Sequence, residues 1–282
     1  MLLYTGIKDL RAYLGKKKEE GRTIGFVPTM GALHEGHLSL VRKSKEECGL
    51  TVVSIFVNPI QFNNPRDLEK YPRTLDKDIP LLLNEKCDVI FAPGADEMYP
   101  RGEKLPETDL GGLDKVMEGK FRPGHFRGVT IVVKKLFDIV EPDKAYFGKK
   151  DFQQLAVIRY MVNILGLPVR IVPCETVREP DGLAMSSRNV RLTPSDRALA
   201  PQIYKTLSWA KSQAGLTDPD ALAAQATRQL VAIPGSRVEY FEIVDAGTLE
   251  PVHQWSAGRP AVACAALSLG DVRLIDNIEV FS

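Results

Sequence analysis

Through the first two thirds of the chain, short apolar runs rich in β-branched residues alternate with longer segments of mixed polarity. The runs "TIGFVPT" (23–29), "TVVSIFV" (51–57), "DVIFAP" (88–93), "KAYFG" (144–148) and "VRIVPCETV" (169–177) predict buried parallel strands. Between them, "HLSLVRKSKEECG", "TLDKDIPLLLNEK", "GVTIVVKKLFDIV" and "DFQQLAVIRYMVNILG" predict helices. Strand and helix in repeated order predict an α/β fold, a doubly wound (Rossmann-like) parallel sheet. In such sheets ligands sit at the carboxyl ends of strands, where the strand order reverses. The residues that follow these strands are therefore the first place to look for chemistry.

From about residue 176 the rhythm changes. "TPSDRALAPQIYKTLSWAKSQ" predicts one helix, with Thr193 as N-cap and Pro194 at the first helical position. "DPDALAAQATRQLVAIPG" predicts another. "VEYFEIVD" (238–245) and "PAVACAALSLGDVRLID" (260–276) predict an antiparallel sheet with a turn at Gly270-Asp271. The division is thus a Rossmann-like domain over 1–175 and a second, smaller α+β C-terminal domain over 176–282.

Composition narrows the function classes. Of 282 residues, 44% are hydrophobic and 26% charged, the balance of a globular protein with a sizeable core. A net charge of +1 supplies no field for nucleic acid or an acidic surface. No apolar run reaches the ~20 residues that span a bilayer. The stretch "MLLYTGIKDLRAYL" lacks the charged start, apolar run and cleavage site of a signal peptide. Cys48, Cys87, Cys174 and Cys264 form no C-x-x-C pair, which argues against a disulfide framework or a cysteine zinc site. A cytoplasmic location, with no membrane and no nucleic-acid partner, is expected.

The first predicted strand leads into "PTMGALHEGHLSL", where His34 and His37 stand three positions apart. A zinc-peptidase helix places its histidines at i and i+4, so that both leave one face, and no third ligand is apparent here. The metal reading is rejected. The pair lies at a strand-to-helix junction beside Gly31 and Gly36, which allow close approach of a ligand. A helix N-terminus offers unpaired N–H groups and a positive dipole end to anions. Histidines there can donate to phosphate oxygens as charge builds up. No Walker-type loop and no G-x-G-x-x-G follows the first strand, so a nucleotide pocket must be built otherwise.

Other strand ends carry further candidates. In "IFVNPIQF" (55–62), Gln61 follows the strand stop at Asn58-Pro59, as a substrate-facing amide or as an ordinary loop residue. In "YFGKKDFQQL" (146–155), Lys149 or Lys150 at a strand end beside a helix start suits a phosphate. "GLAMSSRNVRLTP" (182–194) is either a polar interdomain loop or a grip of hydroxyls and guanidinium on outer phosphates. Arg122, His125 and Arg127 could cap a pocket or bind an acid. Asp76 and Asp78 are either outer groups for a magnesium that travels with ATP or ordinary first-turn helix acids.

Four of these stretches, "PTMGALHEGHLSL", "FVNPIQF", "YFGKKDFQQL" and "MSSRN", in this order and across the whole length, resemble the pantothenate synthetase family of H-x-G-H nucleotidyltransferases. The resemblance implies ATP-dependent condensation of (R)-pantoate with β-alanine, giving pantothenate, AMP and diphosphate through pantoyl adenylate, on the route to coenzyme A. It implies ATP contacts from Met30, Gly31, Ala32, Leu33, His34, Glu35, Gly36 and His37, with His37 as proton donor. Gly148, Lys149, Lys150 and Asp151 would join them, Lys150 against the α-phosphate. Val177 would line the nucleotide site, and Met185, Ser186, Ser187 and Arg188 would form a mobile loop on the phosphates. Gln61 and Gln154 would orient pantoate, and Gln61 would also reach β-alanine. The catalytic set implied is His34, His37, Lys150 and Arg188. ATP would act as a substrate with Mg2+, no prosthetic group is implied, and no firm metal ligand stands out beyond the possibility of Asp78. The family also suggests a homodimer. Because water must be kept from an acyl adenylate, residues 176–282 are expected to close over the site as a lid. The rivals are a nucleotidyltransferase for another acid, a nucleotide-binding regulatory module, and a nucleic-acid binder related to tRNA synthetases; no basic stripe favours the last.

Overall fold

A computed structural model describes the whole chain, Met1–Ser282. Its strands are β1 (Leu2–Tyr4), β2 (Ile24–Thr29), β3 (Leu50–Ile55), β4 (Val89–Phe91), β5 (Lys144–Gly148), β6 (Arg170–Cys174), β7 (Ser236–Asp245), β8 (Ala261–Leu269) and β9 (Val272–Phe281). Its helices are α1 (Ile7–Glu19), α2 (Glu35–Glu47), α3 (Pro65–Lys70), α4 (Leu75–Asn84), α5 (Ala95–Met98), α6 (Met117–Phe121), α7 (His125–Val140), α8 (Phe152–Ile164), α9 (Pro194–Leu199), α10 (Gln202–Gln213) and α11 (Pro219–Val231).

Two compact units result. The first comprises Met1–Asp114, Arg122–Lys149 and Gln154–Glu175; the second comprises Lys115–Phe121, Lys150–Gln153 and Thr176–Ser282. The expected single cut near 175 therefore needs one amendment, because two short stretches from the first half of the chain join the second unit. The cause is a buried charge cluster. The Glu118 carboxylate accepts from Arg273 at 2.6 and 2.7 Å and from the Tyr240 hydroxyl at 2.7 Å. Gln153 accepts the Glu118 backbone N–H at 2.9 Å and donates to the Val116 carbonyl at 2.9 Å. A carboxylate so enclosed is stable only with those partners, so its segment stays with Arg273.

The first unit contains a six-stranded sheet in the order β1-β4-β3-β2-β5-β6, with every pairing parallel. Side chains alternate across it. Ile24, Phe26, Val52, Phe91, Ala145 and Phe147 face a cluster with Leu10 and Leu14 of α1, Val132 and Phe137 of α7 and Ile158 of α8. Val27, Val53, Ile90 and Tyr146 face the other way, onto Leu38 and Val41 of α2 and Leu82 of α4. Both faces are covered, which is why these strands read as unbroken hydrophobic runs. Strand order reverses between β2 and β5, so their carboxyl ends flank the switch point. At Gly25 a Cβ would lie 2.1 Å from Ser44 Oγ, so this glycine lets α2 sit directly on the sheet.

The second unit holds the antiparallel sheet β7-β8-β9, covered by α10 and α11 through Ile203, Leu207, Leu222 and Leu230. Leu269 pairs with Val272 across the Gly270-Asp271 turn, where Gly270 takes φ 54°. The single helix predicted over 193–213 is two helices, α9 and α10, broken at Ala200-Pro201. Strand β1 and helix α1 lie outside the elements predicted from the sequence. The strand is three residues long and half exposed, and carries no alternation to read.

Candidate active site

The chain leaves β2 into a tightly held loop. Thr29 Oγ1 donates to the Ser54 carbonyl at 2.7 Å and accepts the Gly31 N–H at 3.1 Å. Gly31 and Ala32 follow with φ of 78° and 50°, the second unusual for a residue with a Cβ. What holds this conformation is Asp78, from the first turn of α4. Its fully buried carboxylate accepts the Ala32 N–H at 3.0 Å and the Leu33 N–H at 2.8 Å. Burial raises its pKa and the backbone hydrogen bonds oppose that rise. Both Asp78 oxygens thus engage backbone hydrogens of the loop, an anchoring task unlike the magnesium role considered for it from the sequence.

His34 then caps α2. Its Nδ1 accepts the Gly36 N–H at 3.2 Å, and His37 Nδ1 accepts the His34 N–H at 3.3 Å, a reciprocal capping box. This explains the spacing of three: it is the spacing of a capping box, not of a metal-binding helix face. The cap also sets the chemistry. An imidazole nitrogen that accepts a hydrogen bond carries no proton, so in both neutral rings the proton sits on Nε2. The rings lie 4.1 Å apart at the helix N-terminus and present N–H donors where the backbone dipole is positive. Met30, Gly31, Leu33 and Gly36 belong to the same loop and first turn. Glu35 is exposed and paired with Arg42, which also holds Glu85 at 2.7 Å.

Gln61, on the turn Pro59–Gln61 after β3, is buried in a cradle that decides which end of its amide is offered. Asn58 Nδ2 donates to the Gly128 carbonyl at 3.0 Å and to Gln61 Oε1 at 3.0 Å, while Tyr99 Oη donates to Asn58 Oδ1 at 2.8 Å. A carbonyl can only accept, so the Gly128 contact fixes the orientation of Asn58, and Asn58 in turn fixes Gln61. The Gln61 Nε2 donor is left directed at Met30 Sδ, 3.2 Å away and a weak acceptor. His125, expected to cap a pocket or bind an acid, supports the same residue. Its Nδ1 donates to the Gln61 carbonyl at 2.9 Å, and Nε2 faces Arg122 Nη1 at 3.2 Å. Arg127 pairs instead with the exposed Glu107. Sequence reasoning missed Asn58, Tyr99 and His125 as supports of Gln61.

After β5, Gly148 and Lys149 lie at the switch point, and Lys149 pairs with the exposed Glu175. Gln154 is half-buried on the first turn of α8, while its neighbour Gln153 is buried in the contacts with Val116 and Glu118 described above. Of the two glutamines, Gln154 is thus the one with exposed surface.

The remaining predicted residues lie in the second unit. Lys150 Nζ stands 3.6 Å from Asp151 Oδ1, and the Lys150 carbonyl accepts from Asn277 Nδ2 at 2.8 Å. Val177 and Met185 are brought together: the Met185 N–H donates to the Val177 carbonyl at 3.0 Å, closing a small hairpin over 177–185. Beyond it, Ser186 Oγ accepts the Arg188 N–H at 3.3 Å and the Ser186 carbonyl accepts the Asn189 N–H at 3.0 Å. Ser186, Ser187 and Arg188 therefore occupy one tight, half-buried turn. Hydroxyls and a guanidinium so grouped suit phosphate oxygens.

The family profile for pantoate–β-alanine ligase matches residues 3–279. A pantothenate synthetase of Porphyromonas gingivalis is 51% identical over 282 residues, covering 99% of both chains. One from Bacteroides thetaiotaomicron is 50% identical over 273 residues, covering 97% of this chain and 96% of its own. Among solved structures, the Thermus thermophilus enzyme superposes with a TM-score of 0.94 at 44% identity over all of both chains. The Francisella tularensis pantoate–β-alanine ligase, complexed with β,γ ATP and β-alanine, gives a TM-score of 0.81 at 37% identity over 99% of this chain and 97% of its own. The chain belongs to the pantoate–β-alanine ligase (pantothenate synthetase) family.

Proposed function

We propose that this chain condenses (R)-pantoate with β-alanine using ATP, and that it does so by adenylating pantoate. The observation that carries the reading is the reciprocal cap of His34 and His37, which fixes two Nε2–H donors at a helix N-terminus beside the switch point. A carboxylate is a poor acylating agent because oxide is a poor leaving group. In the first step the pantoate carboxylate oxygen bonds to the α-phosphorus and the bond to pyrophosphate breaks. In the second, the β-alanine amine bonds to the acyl carbon, AMP leaves with the electron pair, and the amine releases a proton.

The protein's task in the first step is positioning and charge stabilisation. His34 and His37 donate from Nε2 to the phosphates. For His37 this is hydrogen-bond donation from a neutral ring, a more specific role than the proton donor implied by resemblance. Lys150 neutralises charge at the α-phosphate, while Ser186, Ser187 and Arg188 hold phosphate oxygens. The residues Met30–Gly36, Gly148, Lys149, Asp151, Val177 and Met185 complete the nucleotide contacts in this reading. Gln61 offers its NH2 to an oxygen of pantoate and Gln154 orients the same substrate; Gln61 also reaches β-alanine. Magnesium enters with ATP as part of the substrate. The homodimer implied by resemblance belongs to the same proposal, and sedimentation at twice the 31.2 kDa chain mass tests it.

The test of the reaction is pyrophosphate release from MgATP. With pantoate alone, release should stop near one equivalent per site. With β-alanine added it should become continuous, with equal amounts of AMP and pantothenate. Folded protein that releases no pyrophosphate in response to pantoate would overturn the reading in favour of another acid or a binding module.

A further inference from the structure

Strand β9 carries a buried hub that none of the predicted site residues includes. Asp276 is almost fully buried and takes both arms of Arg178: Nη1 donates to Oδ2 at 2.6 Å and Nη2 to Oδ1 at 3.0 Å. The same guanidinium donates to the Gly182 carbonyl at 3.2 Å and the Asn277 carbonyl at 3.3 Å, and stacks over the Tyr204 ring at 3.9 Å. Four hydrogen bonds and a stacked face leave Arg178 one placement. Arg178 and Ala184 form the bridge of the hairpin that runs from Val177 to Met185, and Asn189 Nδ2 donates back to the Ala184 carbonyl at 3.0 Å. The Met185–Arg188 turn is thereby fastened at its base to β9. One residue further along β9, Asn277 donates to the Lys150 carbonyl at 2.8 Å.

A single two-residue step of one strand therefore grips two separate segments, and those are the two that carry Lys150 and Ser186–Arg188. We propose that Arg178, Asp276 and Asn277 are positioning residues that hold Lys150 and the Met185–Arg188 turn in one frame, so that both engage the triphosphate as a unit. This inference rests on the reading of those two segments as phosphate-binding. Stability alone would be served as well by an apolar contact of similar volume in place of the ion pair. What an apolar pair lacks is direction. The forked guanidinium fixes distance and angle between hairpin and strand, and the amide of Asn277 extends the same register to Lys150.

The test uses Asn277→Ala and the double variant Arg178→Met with Asp276→Leu, which removes both buried charges together and so avoids leaving one unpaired. Pantoate-dependent pyrophosphate release in the presence of β-alanine is followed with γ-labelled ATP, so that slow variants remain measurable, alongside thermal unfolding. Asn277→Ala is expected to lower kcat about 10-fold, in line with the cost of a sub-ångström misplacement, with the KM for pantoate unchanged. In a Lys150→Ala background the same substitution should change kcat less than about two-fold, because a shared role is non-additive. The double variant should fold and show the same loss of kcat. Equal losses with and without Lys150, or no loss in either folded variant, would overturn the inference. If Lys150→Ala and Arg188→Ala themselves leave the rate unchanged, the phosphate-binding reading beneath it fails instead.

Discussion

Asp78→Asn separates the geometry of the nucleotide loop from the stability of the fold. In the native protein two backbone hydrogens, from Ala32 and Leu33, each meet one carboxylate oxygen at 3.0 and 2.8 Å. Asparagine has the same shape but offers one oxygen, and its NH2 group then faces the second N–H. One charge-assisted bond is lost and a donor confronts a donor, which shifts the loop by about 2 kcal/mol away from its native conformation. A positive φ at Ala32 needs that restraint, so the loop relaxes and His34 loses its approach to the helix. At 1.4 kcal/mol per factor of ten, kcat/KM for ATP should fall roughly 30-fold.

Global stability should behave differently. Burial raises the Asp78 pKa above the ordinary aspartate value. For a carboxyl group shifted in this direction, folding favours the protonated form. Its contribution is fully present below the unfolded pKa and is lost as pH rises through the raised folded value. At neutral pH the ionised group is therefore a net electrostatic burden on the fold, which the neutral amide relieves. Loss of a bond and relief of desolvation oppose each other, and the unfolding midpoint should move little. The assay pairs steady-state kinetics in ATP with thermal unfolding, and takes Asp76→Asn, an exposed neighbour, as control. An Asp78→Asn enzyme within three-fold of the native kcat/KM, at native stability, would refute the assignment of Asp78 as the loop's anchor.

Three further expectations follow from the same geometry. His34→Asn keeps a strong N-cap residue but removes the Nε2–H donor, so stability should change by less than about 1 kcal/mol while pyrophosphate release drops about 100-fold; unaltered release would make His34 a cap alone. Gly128→Ala places a Cβ 2.5 Å from the Ile60 carbonyl oxygen and 2.6 Å from Gln61 Cα, all backbone atoms that cannot step aside. The KM for pantoate should rise about 10-fold or more as Gln61 is displaced, with ATP binding by calorimetry unchanged; equal losses for both substrates would contradict the cradle. Burial pushes the Cys87 thiol up to about 12 and raises Cys264 as well, so neither should react with iodoacetamide at pH 8 until the protein unfolds. Mass spectrometry showing prompt native labelling of either would count against the packing described.

The sheet was legible because both of its faces are covered: strands β2 to β6 announce themselves as continuous apolar runs, and their ends mark where chemistry belongs. Strand β1 is not legible because three half-exposed residues carry no period, and α1 after it buries only Leu10 and Leu14. Pro201 does not announce the break between α9 and α10, because proline suits a helix's first turn, as at Pro194, as readily as it stops one. In the site, His34 and His37 were conspicuous, yet their mutual capping was not, because capping boxes are ordinarily read from Ser, Thr, Glu and Gln. Long-range partners left no local trace. Asp78 lies 46 positions from Ala32, Asn58 lies 70 from Gly128, and Glu118 lies 155 from Arg273. Each contact depends on the sheet having brought distant strand ends together, so no window of sequence contains both partners.

The central claim, that this site activates an acid by transferring AMP to it, is tested most directly with pantoate carrying 18O in its carboxylate. Transfer through an adenylate breaks the bond between the acyl carbon and one carboxylate oxygen, so one labelled oxygen should appear in AMP and none in pyrophosphate. Label found in pyrophosphate, or lost to water with none in AMP, would contradict the account.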